Sequence, residues 1–188
     1  YQNYQSDMTR MCFIGEPDPK IKEIYDVVLK AQLAGLGAIK AGAKGKDVDK
    51  AARDVIETAG YGEYFNHGLG HGLGIGEDGE GPTLNSKSET VLQEHMMMSC
   101  EPGVYVPGKY GIRTENMLIC KKWQQNEYGA FLHFEPLTLV PIDLDGVDLS
   151  LFNEKEKQLL TDYQQFVYDT LSPHLNEEES AWLHTLTL

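Results

Sequence analysis

Between Ile21 and Ile39 the apolar positions Ile21, Ile24, Val28, Ala31, Gly35 and Ile39 recur at intervals of three or four. That is the stripe of an amphipathic helix. The "EPDP" turn before it places a proline to open the helix, which is expected to run to about Gly42. A second helix is predicted over about 46–59, with Val48, Ala51, Val55 and Ile56 on one face and Gly60 as its stop. Upstream, "RMCFI" at 10–14 reads as a short strand ending at Gly15. After residue 95 the pattern changes to short apolar runs: "HMMMSC" at 95–100, "GVYV" at 103–106, "IRTENMLIC" at 112–120 and "FLHFEPLTLVP" at 131–141. The prolines and glycines between them suit antiparallel turns. Helical spacing returns at the end, where Asn153 and Glu156 match a capping box and Leu159, Tyr163, Phe166 and Thr170 continue one face. Pro173 closes that helix. A last helix over 176 to about 186 starts at Asn176 and is expected to bury Trp182 and Leu183, with "NEEES" as its solvated first turn.

Composition narrows the function classes. At 188 residues and 41% hydrophobic the chain can bury its own core, and no solenoid-length repeat is present. A net charge of −13 argues against nucleic acid or an anionic membrane as partner. No apolar run approaches the ~20 residues that span a bilayer. Cys12, Cys100 and Cys120 are widely spaced and read as buried free thiols, which suits a reducing, cytoplasmic compartment. The chain shows no signal-like start and no initiating methionine, so it is expected to begin inside a longer protein.

Candidate chemistry concentrates in "NHGLGHGLGIGEDGEGP" at 66–82. "GIGEDG" formally matches a dinucleotide fingerprint, but no helix opens behind it and the adjacent acids would repel phosphate. His67 and His71 have the spacing of a helical zinc motif, yet each glycine between them would cost a helix about 1 kcal/mol relative to alanine. An extended segment is expected instead, with residues four apart on one face and both rings aimed into one cleft. Structural or surface histidines are the plainer alternative.

Carboxylates complete the pattern. Glu101 in "SCEPGVY", Glu115 in "GIRTENM" and Asp7 in "YQSDMTR" all sit in or beside strand-like runs. A carboxylate buried there is costly unless it is paired or binds a metal. Taken singly, each has a plain role: Asp7 a local turn or cap, Glu101 a strand-end charge, Glu115 a partner for Arg113.

Taken in order, "YxxYxSDMTR", "HGxGHGxG", "EPGVY" and "GIRTEN" resemble the metal-binding segments of the pita-bread (M24-type) metallopeptidases, which include methionine aminopeptidase, prolidase and aminopeptidase P. The ending "FEPLTLVPIDLDGVD" with its helical tail is similar to aminopeptidase P in particular. The resemblance implies an α+β pita-bread fold, a curved, mainly antiparallel sheet with helices outside, whose N-terminal part precedes this chain. It divides the chain into a truncated catalytic domain, 1–146, and a helical extension, 147–188, packed on it. Asp7, His71, Glu101 and Glu115 would be the metal ligands, and a further aspartate ligand would lie upstream of Tyr1, so the chain as given lacks one ligand. His67 would face substrate and stabilise the transition state, Glu101 would double as general base, and Arg113 would orient a carboxylate. Oxygen-rich coordination with one imidazole suits Mn²⁺, with Co²⁺ or Zn²⁺ as alternatives. Two such ions, about 3.5–4 Å apart, would bridge and activate a water.

The implied activity is Xaa-Pro aminopeptidase, on peptides with proline at the second position. The alternatives are a prolidase acting on Xaa-Pro dipeptides and a non-catalytic binding module. A homodimer through the Trp182 tail is also implied. One departure stands out: where the family carries "V-H-E-G-P", this chain reads "EDGEGP", with Gly79 or Asp78 in place of the histidine and Asp78 or Glu80 left to compensate.

Overall fold

The structure, a computed structural model, describes residues 6–40, 42–74 and 81–187. Helix α1, Pro19–Gly37, is opened by Asp18, whose carboxylate accepts the Lys20 amide, with Pro19 at its first turn. It stops short of the expected Gly42 because the chain turns away to pair Lys44 with Val91, and the Ala43 carbonyl accepts the Leu92 amide. Helix α2, Gly45–Thr58, packs against α1 and buries Val48, Ala52 and Ile56. The stripe on α1 buries as predicted at Ile24, Val28, Ala31 and Gly35. Gly35 has no room for a side chain without displacing Leu69, whose methyl would lie 3.1 Å from a Cβ there. This close approach brings α1 down onto the segment that carries the histidines.

Among the described residues five strands follow: β1 (Met97–Cys100), β2 (Gly103–Val106), β3 (Tyr110–Arg113), β4 (Asn116–Asn126) and β5 (Gly129–Pro136). All pairings are antiparallel, in a three-stranded sheet ordered β1-β4-β5 and a two-stranded sheet of β2 with β3. Strand β1 starts later than expected because His95 takes a left-handed φ of 71°, which an extended run cannot continue.

The predicted single strand over 112–120 is two. Between them the chain switches sheets at Thr114 and Glu115. Their backbone groups find other partners: the Glu115 amide bonds the Thr9 carbonyl, Gln32 donates to the Thr114 carbonyl, and Arg10 donates to the Glu115 carbonyl. The crossing leaves Glu115 with no exposed surface.

The expected strand over 10–14 does not form. Thr9 makes one isolated bridge to Glu115, and the carbonyls a strand would pair with are taken by the Arg10 guanidinium, which donates to Glu115, Val140 and Pro141. For the same reason β5 ends at Pro136: Tyr163 donates to the Thr138 and Val140 carbonyls, and the Gln164 amide binds both polar backbone groups of Ile142.

Helix α3, Glu154–Leu171, begins with the predicted capping box between Asn153 and Glu156. Its buried face is displaced by one position from the expected stripe, to Leu160, Gln164 and Val167, because Gln164 is drawn inward by its bonds to Ile142 and Leu186. Replacing Asn153 by alanine is expected to cost about 1 kcal/mol, read as a lower urea midpoint with unchanged slope. Helix α4, Glu177–Thr187, buries Leu183, but Trp182 remains 65% exposed, contrary to expectation. Cys100 and Cys120 are buried as predicted, whereas Cys12 is exposed. Among the described residues no helix is long and apolar enough to cross a membrane.

Candidate metal centre

The histidine segment is extended, as its glycines require. It lies beside β1: the Ser99 amide bonds the His71 carbonyl at 2.9 Å, and the Glu101 amide bonds the Leu69 carbonyl at 2.8 Å. A side chain on Gly70 would land on the Ser99 carbonyl oxygen, and one on Gly72 would strike the Gly81 backbone, so these two glycines permit the close approach. The departures at Asp78, Gly79 and Glu80, like Tyr1 and Tyr4 of the first motif, lie outside the described residues.

Three chain segments converge on one point. Ligand-type atoms of Asp7, His71 and Glu115 lie within 4.8 Å of one another. His71 Nε2 is 3.3 Å from Asp7 Oδ2 and 3.2 Å from Glu101 Oε1. The protein holds these groups from behind. Ser99 Oγ donates to Glu101 Oε1 at 2.9 Å, and Thr9 Oγ1 donates to Glu115 Oε2 at 2.8 Å. Arg113 spans both acids: Nη1 is 3.0 Å from Glu101 Oε2, Nη2 is 3.6 Å from Glu115 Oε2, and Nε donates to Thr9 Oγ1 at 2.9 Å.

Two features fit a divalent cation. Glu115 Oε1 is buried and has no hydrogen-bond partner among the described residues, which is costly for a carboxylate oxygen. His71 Nδ1 lies 3.0 Å from the Gly72 carbonyl, which fixes Nδ1–H as donor and leaves the Nε2 lone pair facing two acceptor-only carboxylates. A cation bound here would relieve both conflicts: His71 and the carboxylates of Asp7, Glu101 and Glu115 would hold it, with the second ring nitrogen tied to a backbone carbonyl in the way typical of metal-bound histidine.

On protein groups alone the cluster is strained electrostatically. Burial pushes the Glu115 carboxyl pKa up; the Thr9 bond opposes this, and the nearby Glu101 and Asp7 charges add to the rise. Burial pulls the His71 imidazole down, but the Gly72 carbonyl and the charges of Glu101, Asp7 and Glu115 outweigh it and the net shift is upward.

His67 does not reach the cluster directly. Its Nε2 is 2.9 Å from the Tyr105 hydroxyl. Burial raises the Tyr105 phenol and the neighbouring Arg113 charge opposes the rise. Tyr105, Thr9 and Ser99 add to the site residues expected from the sequence. Tyr105 and Thr9 stand inside the quoted "EPGVY" and "SDMTR" motifs, whereas Ser99 had no signal beyond its place before Cys100 and Glu101. A cleft of about 590 Å³ elsewhere, between α1, β5 and α3, is mainly apolar and is lined by none of Asp7, His71, Glu101 and Glu115, so it is not the metal centre.

Comparison with known proteins agrees with this arrangement. The profile of metallopeptidase family M24 matches residues 1–122, and that of the C-terminal region of peptidase M24 matches residues 130–188. An uncharacterized peptidase of Staphylococcus saprophyticus is 50% identical over 119 residues, 63% of this chain and 34% of that protein. An Xaa-Pro dipeptidase of Pyrococcus horikoshii is 46% identical over 122 residues, 65% of this chain and 34% of that protein. The chain thus spans about a third of the length of these relatives. Among solved structures, X-prolyl aminopeptidase from Caenorhabditis elegans, a cytosolic enzyme with a di-nuclear active site, superposes over 100% of this chain and 32% of its own, at TM-score 0.87 and 29% identity. Xaa-Pro dipeptidase from Bacillus anthracis superposes over 76% of this chain and 38% of its own, at TM-score 0.65 and 44% identity.

Proposed function

The chain belongs to metallopeptidase family M24, and on that premise we propose that it is the catalytic part of an Xaa-Pro aminopeptidase, releasing an N-terminal residue from peptides with proline second. Its fold is the α+β pita-bread arrangement of that family. The observation that carries the aminopeptidase reading is the superposition on the C. elegans X-prolyl aminopeptidase along the entire chain, C-terminal region included. An Xaa-Pro dipeptidase is the second reading, favoured by the higher identities to the P. horikoshii and B. anthracis enzymes.

In this reading Asp7, His71, Glu101 and Glu115, with a further aspartate upstream of Tyr1, would hold two divalent cations, Mn²⁺ by the hardness of the oxygen donors, which would supply Lewis-acid activation of water and of the peptide carbonyl. The buried, partnerless Oε1 of Glu115 supports that assignment. Glu101 is the general base: Ser99 and Arg113 each bond one of its oxygens, fixing the orientation in which it accepts a proton. Arg113 keeps Glu101 and Glu115 apart and oriented. His67, held by Tyr105, faces the substrate and steadies the transition state. A dedicated site is needed because proline fixes φ and removes an amide hydrogen.

Residues 1–146 form the catalytic part and 147–188 a helical extension, whose exposed Trp182 is the contact for a homodimer in the cytoplasm. The test is competition between an Xaa-Pro dipeptide and an Xaa-Pro-Xaa tripeptide for the full-length protein. A kcat/KM at least about tenfold higher for the tripeptide is expected, a difference of 1.4 kcal/mol in transition-state binding. Preference for the dipeptide would replace this reading with the dipeptidase.

A further inference from the structure

An ion pair on α2 between buried Asp49 and partly buried Arg53 lies outside the ligand cluster yet holds the backbone from which His67 projects. Asp49 keeps only 1% of its side chain exposed, and Arg53 Nε and Nη2 bind its two oxygens at 2.9 and 3.0 Å. Each partner then bonds the histidine segment. Asp49 Oδ1 accepts the Leu69 amide at 3.0 Å, while Arg53 donates to the carbonyls of Phe65 at 3.0 Å and His67 at 2.8 Å.

The Arg53 guanidinium also lies 4.2 Å from the Phe65 ring centroid, and that ring meets the His67 ring edge-on at 5.1 Å. Residues 65–69 belong to no strand, and the first bridge of the segment is at Gly70. The ion pair therefore does for this stretch what a neighbouring strand does elsewhere: it satisfies two carbonyls and one amide and fixes their positions. Apolar residues of similar volume would fill the same space without burying charge, but they would leave these three backbone groups to find other partners.

We infer that the Asp49–Arg53 pair is a positioning device for His67, setting its imidazole against Tyr105 through the 65–69 backbone and the Phe65 ring. Its kinetic consequence rests on the peptidase reading above. The pair touches none of Asp7, His71 or Glu115, so its weakening should change turnover and leave metal content and KM alone.

The experiment is a double-mutant cycle in the full-length protein. Arg53→Lys keeps a positive charge beside Asp49 but loses the planar fork that reaches both carbonyls. Arg53→Lys is expected to lower kcat roughly tenfold. In a His67→Ala background the same change should alter kcat by less than about twofold, because the group it positions is gone. Equal losses in both backgrounds would overturn the inference. If the parent releases nothing from Xaa-Pro peptides, the peptidase reading fails and the imidazole NMR spectrum decides the positioning separately. Arg53→Lys should then shift the ring signals of His67 while those of the exposed His95 and His174 stay in place; unmoved His67 signals would overturn it. Should Arg53→Lys not fold, the Asp49→Leu/Arg53→Met double variant, which removes both charges at similar volume, is read in the same two ways.

Discussion

Glu101→Ala is expected to lower hydrolysis by roughly a thousandfold or more, since on the proposed reading it removes both a ligand and the general base. The fold should survive. Glu101 sits at the mouth of the turn after β1, its amide is held by the Leu69 carbonyl, and that bond does not involve the side chain. Arg113 loses one partner but keeps Thr9 and Glu115, and it is partly exposed, so it is not left as a buried unpaired charge. Loss of one of three close carboxylates also relieves repulsion. Steady-state rates on an Xaa-Pro-Xaa peptide, beside circular dichroism of the same sample, check the prediction. A folded variant with near-parental rate would remove Glu101 from its role.

Glu115→Gln separates stability from function. The carboxylate is fully buried, its Oε1 has no partner among the described residues, and burial disfavours its charged form. The neutral amide retains an oxygen for the Thr9 hydroxyl and turns its N–H donors toward the acids that the carboxylate repelled. The metal-free variant should therefore be more stable than its parent by about 1 kcal/mol or more, a trade of the kind expected where an active site stores unfavourable charge. Its affinity for Mn²⁺ should fall by roughly a hundredfold or more, because an amide is a poorer ligand than a carboxylate. Thermal unfolding of the chelated proteins and calorimetric titration with Mn²⁺ measure the two effects. A destabilised variant with unchanged affinity would mean that Glu115 is a structural partner of Thr9 and Arg113.

Much of this architecture was legible because it rests on local rules. The α1 stripe, the Asn153 cap and the extended glycine segment follow from periodicity, capping chemistry and the cost of glycine in a helix. What was not legible depends on side chains that take over backbone bonding from a distance. Arg10 binds the carbonyls of Glu115 and Val140, and no pattern within "RMCFI" signals that a guanidinium will stand where a strand partner was expected. Gln164 turns the buried face of α3 by one position for the same kind of reason.

The ligand-type residues could be picked out by their order in the sequence. Their support could not. Thr9 and Arg113 lie 104 positions apart, and the Asp49–Arg53 pair has the spacing of an ordinary surface ion pair on a helix. Only the approach of the histidine segment to α2 reveals what that pair holds.

The most direct test of the metal centre is to strip the full-length protein with a chelator, restore Mn²⁺, and follow release of the N-terminal residue from an Xaa-Pro-Xaa peptide at each stage. Activity should vanish on stripping and return with the ion in the parent, and should stay absent when His71 is replaced by alanine. Undiminished hydrolysis by the stripped, folded protein would contradict the metal centre assigned to Asp7, His71, Glu101 and Glu115.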